Sequence, residues 1–258
     1  MKKLLLIFMA ALFSLGAYSQ EPLYLTFEFM KVEEGMGADY WETESFWEKI
    51  HEQRVKDGDI IGWDLWALSP SGTNQGHQYM TVTLYSDPVK MMGGGTDFDK
   101  TMEGAYPKMS QFEIDKQMDQ TVKSRDLAVI VYLQQIAGAG DDFEMPLGTL
   151  AQINFMKAKT GEAGTYEEME ATVFRGIHER RIKAGAMASW GLLRNMMGYT
   201  TEAYASHITV DMFKDWDQYF NASPNIEWTP EQQEAGDKIA EIRDIKSTVF
   251  GTLVKKVR

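Results

Sequence analysis

The chain has 258 residues, 44% of them hydrophobic and 12% aromatic, enough for two packed domains within the usual range of roughly 50 to 250 residues. It carries 26 Lys and Arg against 38 Asp and Glu, a formal charge of −12, and so acidic a surface repels phosphate backbones and anionic lipid, which argues against nucleic acid or membrane-surface partners. It has no cysteine and only four histidines, so disulfides and thiolate chemistry are excluded and a dedicated zinc site finds too few ligands.

The first nineteen residues read as a secretory signal peptide: Lys2-Lys3, an apolar run from Leu4 to Leu12, then the small residues Ala17 and Ser19 before Gln20. That run is too short to span a bilayer and nothing later is longer. The sequence predicts cleavage at Ser19/Gln20 and a periplasmic or secreted protein with no membrane insertion once the signal is removed. Loss of Lys2 and Lys3 takes the mature charge close to −14.

From Leu23 to Val32 the residues alternate, Leu25, Phe27 and Phe29 on one face and Thr26, Glu28 and Met30 on the other, which predicts a strand. A helix is expected from about Asp39 to Lys56, closed by Gly58, then strands over Ile60–Leu68 and Gln78–Tyr85. Met91 to Thr96, with three glycines but no Lys-Ser/Thr for a phosphate loop, reads as a flexible surface insertion. A charged helix (Glu113–Lys123) and a strand (Leu127–Gln135) follow, and Ala137 to Asp142 reads as a linker.

The order then recurs. Ala151, Ile153 and Phe155 alternate with Gln152, Asn154 and Met156; a helix from about Thr165 to Lys183 ends at Gly185. Strands over Ala188–Leu193 and Ser206–Phe213, a helix over Pro230–Ile242 and a strand over Ile245–Val254 complete the series. The residues recur too: Phe29-Met30-Lys31 as Phe155-Met156-Lys157, Ile50-His51-Glu52 as Ile177-His178-Glu179, Trp63 as Trp190, Arg125-Asp126 as Arg243-Asp244. A period above 100 residues is too long for a solenoid, so the sequence reads as a duplicated domain. The offset is 126 at Lys31/Lys157 and 127 at His51/His178, a single residue that a loop is expected to absorb.

The fold class expected is α+β: two tandem ferredoxin-like βαββαβ units, over 22–137 and 147–258, pairing as an intramolecular barrel. The more polar strand faces, Thr26 with Glu28 and Gln152 with Asn154, would then be sealed by the other copy rather than by a second chain. This arrangement resembles the dimeric α+β barrel superfamily, which includes antibiotic-biosynthesis monooxygenase-like, EthD-like and NIPSNAP-like proteins. The resemblance rests on element order and the repeat, covers residues 22 to 258, and implies two units packed sheet to sheet with helices outside.

On the first helix Tyr40, Glu44, Trp47, His51 and Val55 share one stripe; at the same spacing Glu167, Ala171, Phe174, His178 and Ile182 share another. His51 and His178 therefore face inward, either as core histidines bonded to a neighbour or as ligand-facing imidazoles that polarise or deprotonate a substrate. They are the candidate catalytic residues. Trp47, Trp63, Asn154, Phe174 and Trp190 are the candidate ligand-binding residues, each with core packing as its plainer role. Glu52, Arg54 and Lys56, like Glu179, Arg181 and Lys183, read as a solvated helix end, and His-Glu-x-x-His is absent because Val55 and Ile182 hold its last position.

Some haem-degrading members of the superfamily combine a strand-one asparagine, a tryptophan and a helical histidine. Asn154, Trp190 and His178 match in type, but Glu28 replaces the asparagine in the first copy and the helix-one histidine departs from that group, so the assignment is not carried over. The reading is a secreted small-molecule-binding protein or cofactor-independent enzyme, monooxygenase- or isomerase-like, with a pocket between helix one and the sheet and no metal or cofactor. Its partner would be a small hydrophobic or aromatic molecule, with homo-oligomerisation open. The alternative is a non-catalytic secreted module that binds haem, another hydrophobic ligand or a protein.

Overall fold

The computed structural model describes residues 22–93, 96–197, 202–222, 224 and 226–258. The expected signal segment 1–19, its Ser19/Gln20 cleavage site, and Gly94 and Gly95 of the insertion lie outside the described residues.

The first half of the chain runs β1 (Tyr24–Val32), α1 (Gly37–Lys56), β2 (Gly62–Ser69), β3 (Tyr79–Tyr85), α2 (Pro88–Met91), α3 (Phe98–Ala105), α4 (Gln111–Ser124) and β4 (Arg125–Ala139). The second runs β5 (Leu150–Ala158), α5 (Ala163–Met169), a π turn (Glu170–Phe174), α6 (Arg175–Lys183), β6 (Ser189–Asn195), β7 (His207–Phe213), α7 (Trp216–Asn221), α8 (Pro230–Ile242) and β8 (Arg243–Val257). The eight strands close into one antiparallel barrel in the order β1-β3-β2-β8-β5-β7-β6-β4. The last strand of each half is the hinge of this closure. β4 pairs first with β1 and then, from Leu133, with β6; β8 pairs first with β5 and then, from Phe250, with β2. Closure leaves few strand edges to be blunted by other means.

Both last strands are longer than the sequence suggests. Ala137, Gly138 and Ala139 read as linker, yet they extend β4 against Leu192, Gly191 and Trp190 of β6. The chain turns instead at Gly140, whose φ of 76° favours glycine and whose Cβ, were there one, would lie 2.6 Å from the Ala188 carbonyl.

Burial reverses one expectation. The apolar face of β1 (Leu25, Phe27, Phe29) points into the barrel and packs with Met80, Ile153 and Leu253, while the polar face lies beneath the helices. Apolar faces meet across the barrel because together they exclude the most water. The polar faces are not sealed by the other half, and Thr26, Thr81, Thr83, Asn154 and Thr209 are buried under helical layers. Helices α4 and α8 are held by matching capping boxes, Ser110 with Glu113 and Thr229 with Gln232.

The insertion also does more than span a surface. It leads directly into α3, which Asp97 caps by accepting from the Lys100 N–H at 3.1 Å. Met102 packs on Phe46 and Ile50 of α1, and Tyr106 stacks on Phe46 at 4.9 Å while its hydroxyl donates to the Phe46 carbonyl. This backs α1 from outside.

Candidate functional site

Helix α1 lies across the polar face of its strands with Tyr40, Thr43, Glu44, Ile50 and His51 buried. His51 is stacked flat on Trp63 of β2, centroids 4.8 Å apart and planes 18° apart. In the second half His178 stacks on Trp190 of β6 at 4.7 Å and 13°. Burial pushes both imidazoles down, His51 well below its ordinary value and His178 to about 3, so both are neutral near pH 7.

The single-residue step in the offset between the two halves is absorbed inside the helix, not in a loop. Tyr40 and Glu44 are matched by Tyr166 and Glu170 at an offset of 126, and the π turn over Glu170–Phe174 then inserts one residue, so that His178 follows at 127. The uniform stripe Glu167, Ala171, Phe174 therefore fails in its first two members. Tyr166 and Glu170 face inward, and Glu167 turns out to pair with Arg194 and with His207 Nε2 at 2.8 Å.

Around His51 the sequence left two contributors unassigned. Arg54, expected on a solvated helix end, folds back: Nη1 lies 3.2 Å from His51 Nδ1 and Nη2 donates to the Tyr85 hydroxyl at 3.3 Å. A guanidinium only donates, so Nδ1 must accept and the proton resides on Nε2. His51 can thus donate a hydrogen bond and polarise, but in this state it is no proton acceptor. Glu44 is 1% exposed and contacts Arg125 at 3.0 Å. Burial pushes its carboxyl up to about 7 against the pull of Arg125 and the Tyr40 hydroxyl. The signals were present: Arg54 is three residues beyond His51 on the same face, and Arg125 ends the repeat.

A cavity of about 230 Å³ opens between α1 and the strands, lined by His51, Trp47, Trp63, Glu28, Arg54 and Arg125 among others. Glu44 also lines it, and Thr26 Oγ1 and Arg54 Nε are buried there without a hydrogen-bond partner. Trp47 is fixed at the rim by Nε1 donating to Thr121 at 3.0 Å.

The remaining candidates are not brought together in the same way. Asn154 donates to Thr209 at 3.2 Å and to Asp211 at 3.1 Å, and accepts from Thr248 at 2.8 Å. Asp211, which burial raises to about 6, stands 4.0 Å from His178 Nδ1; with the imidazole neutral this is a polar contact, not an ion pair. His178 and Phe174 line an open pocket of about 460 Å³ with Arg181 and Trp228, to which no described strand residue contributes. Trp190 does not line this pocket; its indole packs beneath His178 with Met187, Leu192 and Phe213. Among the described residues no group of three or more His, Cys, Asp or Glu converges as a metal cluster.

Solved structures share this fold. The chain superimposes with a TM-score of 0.58 on a candidate monooxygenase from Fusobacterium nucleatum, covering 93% of this chain and 95% of that one at 11% identity. A candidate monooxygenase from Lactobacillus acidophilus gives 0.50 at 11% identity over 92% and 96%. A haem-binding protein from Thermus thermophilus gives 0.50 at 9% identity over 92% of both chains. At these identities the likeness establishes the α+β barrel fold alone. No protein-family model and no curated protein matches the sequence.

Proposed function

We propose that the protein binds a small molecule in the cavity beneath α1 and can move a proton on it without a cofactor. The observation that carries this is the polar set around that cavity. Glu44, with its carboxyl near 7, can accept a proton at neutral pH, while His51 Nε2–H, Arg54 and Arg125 can stabilise the negative charge left on the ligand. Two arginines face two carboxylates, so the site is near neutral overall and suits a weakly acidic hydroxyl or carbonyl compound better than a fixed ion.

The monooxygenase names among the structural neighbours accord with such deprotonation, the step that would make an organic substrate electron-rich. Haem, named for the Thermus protein, does not fit here. The cavity of about 230 Å³ lies below the roughly 300 to 1,000 Å³ of drug-sized ligand sites, which a tetrapyrrole exceeds in breadth, and His51 is held flat on Trp63.

The test is a titration with 4-nitrophenol, whose phenolate colours the solution. Wild-type protein should bind it and shift it toward phenolate at a pH just below the free phenol's midpoint. Arg54→Gln should weaken binding about tenfold, and Glu44→Gln should bind without the colour shift. Failure of the wild type to bind or to shift the phenol would remove this reading.

The chain itself we read as a tandem duplication, units 22–137 and 147–258, that closes its own barrel by pairing β4 with β6 and β2 with β8. Residues 20–140 expressed alone would expose both edges and should self-associate or be unstable; a stable monomer would contradict the intramolecular barrel. The protein we place in the periplasm or outside the cell, where the intact mass of secreted material should begin at Gln20.

A further inference from the structure

A second cavity, of about 490 Å³, lies at one end of the barrel, where β4 has not yet met β6. Its floor is a row of rings: His77 on Phe29 at 4.8 Å, Phe29 to Phe155 at 6.0 Å, and Phe155 to Tyr204 at 6.1 Å. Val129, Val131, Ile208 and Val249 make the walls. Among the described lining residues there is no Asp, Glu, Lys or Arg. His207 is spent on Glu167 and Ser206, whereas the His77 ring, which burial keeps neutral near pH 7, has no hydrogen bond or ion pair among the described residues. The rim exposes Val129, Met197 and Tyr204, an apolar collar of the sort that marks a binding surface.

We propose that this barrel-end cavity is a second small-molecule site, separate from the one beneath α1, for a neutral, flat, apolar ring compound with a single polar group to meet His77. The volume lies within the range of ligand sites. The rings lie 4.8 to 6.1 Å apart and are tilted 45 to 59° to one another, so the row offers a contiguous aromatic surface on which a ligand ring can pack by face or by edge. The lack of cationic residues among the described lining disfavours anions, and with them a haem with its propionates. Ile130 and Tyr132 line this cavity and the one beneath α1, so a single strand separates the two.

The probe is N-phenyl-1-naphthylamine, a neutral aromatic amine whose fluorescence rises in apolar surroundings. Full mature protein should bind it saturably, one per chain. Ser247→Trp and, separately, Ala205→Trp place an indole in the cavity from its half-buried rim. Each should weaken binding at least about tenfold with an unchanged circular dichroism spectrum, and His51→Ala should leave it within about twofold. Should one Trp variant fail to fold, the other carries the test. No saturable binding, binding that survives both Trp variants, or binding lost with His51→Ala would overturn the proposal. The 4-nitrophenol titration is independent of these outcomes, so either site can fail without the other.

Discussion

The two helix–sheet layers start from matched residues and end differently. Each keeps a histidine flat on a tryptophan and a buried Tyr–Glu–Arg group, Tyr40, Glu44 and Arg125 in one and Tyr166, Glu170 and Arg243 in the other. In the first, α1 is unbroken, α3 supports it from outside, and polar atoms of Thr26 and Arg54 face a cavity without partners. In the second, a π turn interrupts the helix and Asn154 draws Thr209, Asp211 and Thr248 into one network, although Asp211 Oδ1 and His178 Nδ1 stay without a hydrogen-bond partner. On matched residues the first layer thus leaves a polar cavity beneath its helix, while in the second an asparagine-centred network occupies the matched strand positions.

The comparison can be broken first at what the halves share. Trp63→Ala and Trp190→Ala should each cost about 3 to 5 kcal/mol in chemical denaturation, because both indoles are buried beneath imidazoles. A large cost in one half only would show that the two stacks are not equivalent.

Next in size is the pH dependence of Glu44 and Glu170, both raised by burial from 4.5 to about 7. A carboxyl with its folded pKa above the unfolded one contributes stability that is fully present below about 4.5 and lost as pH rises through 7, on the order of 3 kcal/mol each. Glu44→Gln and Glu170→Gln should therefore gain on wild type by about that amount between pH 4 and 8, read from denaturant midpoints at each pH. A difference that stays flat with pH would mean that these carboxyls are not held protonated.

The difference between the halves appears in a smaller effect. Asn154→Ala leaves Asp211, Thr209 and Thr248 short of partners and should cost roughly 1 to 3 kcal/mol. Glu28→Ala, at the matched position beside the cavity, removes only the one acceptor that the Thr81 hydroxyl meets at 3.0 Å and should cost less, about 0.5 to 1 kcal/mol. Equal costs would erase the distinction between a site and a filled layer.

Much of this was legible in the residues. Strand alternation at Leu25, Phe27 and Phe29, the glycines Gly58 and Gly185 behind each helix, and the repeated His and Trp place the elements and point both imidazoles inward. What a strand pattern cannot say is which of two faces enters the barrel, since both end buried. Nor does 100° periodicity anticipate a π turn, which displaced Tyr166 and Glu170 from the expected stripe. Arg54 was missed because a charge near a helix end is ordinarily solvated, and only the tertiary position of Tyr85 gives it a reason to fold inward. The glycines of Met91 to Thr96 marked an insertion but not α3, because the support that helix gives α1 depends on where Met102 and Tyr106 land.

The central claim, that the cavity beneath α1 is the ligand site and its counterpart is structural, is tested most directly by titrating 4-nitrophenol into His51→Ala and His178→Ala side by side. Binding should fall at least about tenfold in His51→Ala and remain within about twofold of wild type in His178→Ala. Equal losses in the two variants, or a loss in His178→Ala alone, would contradict it.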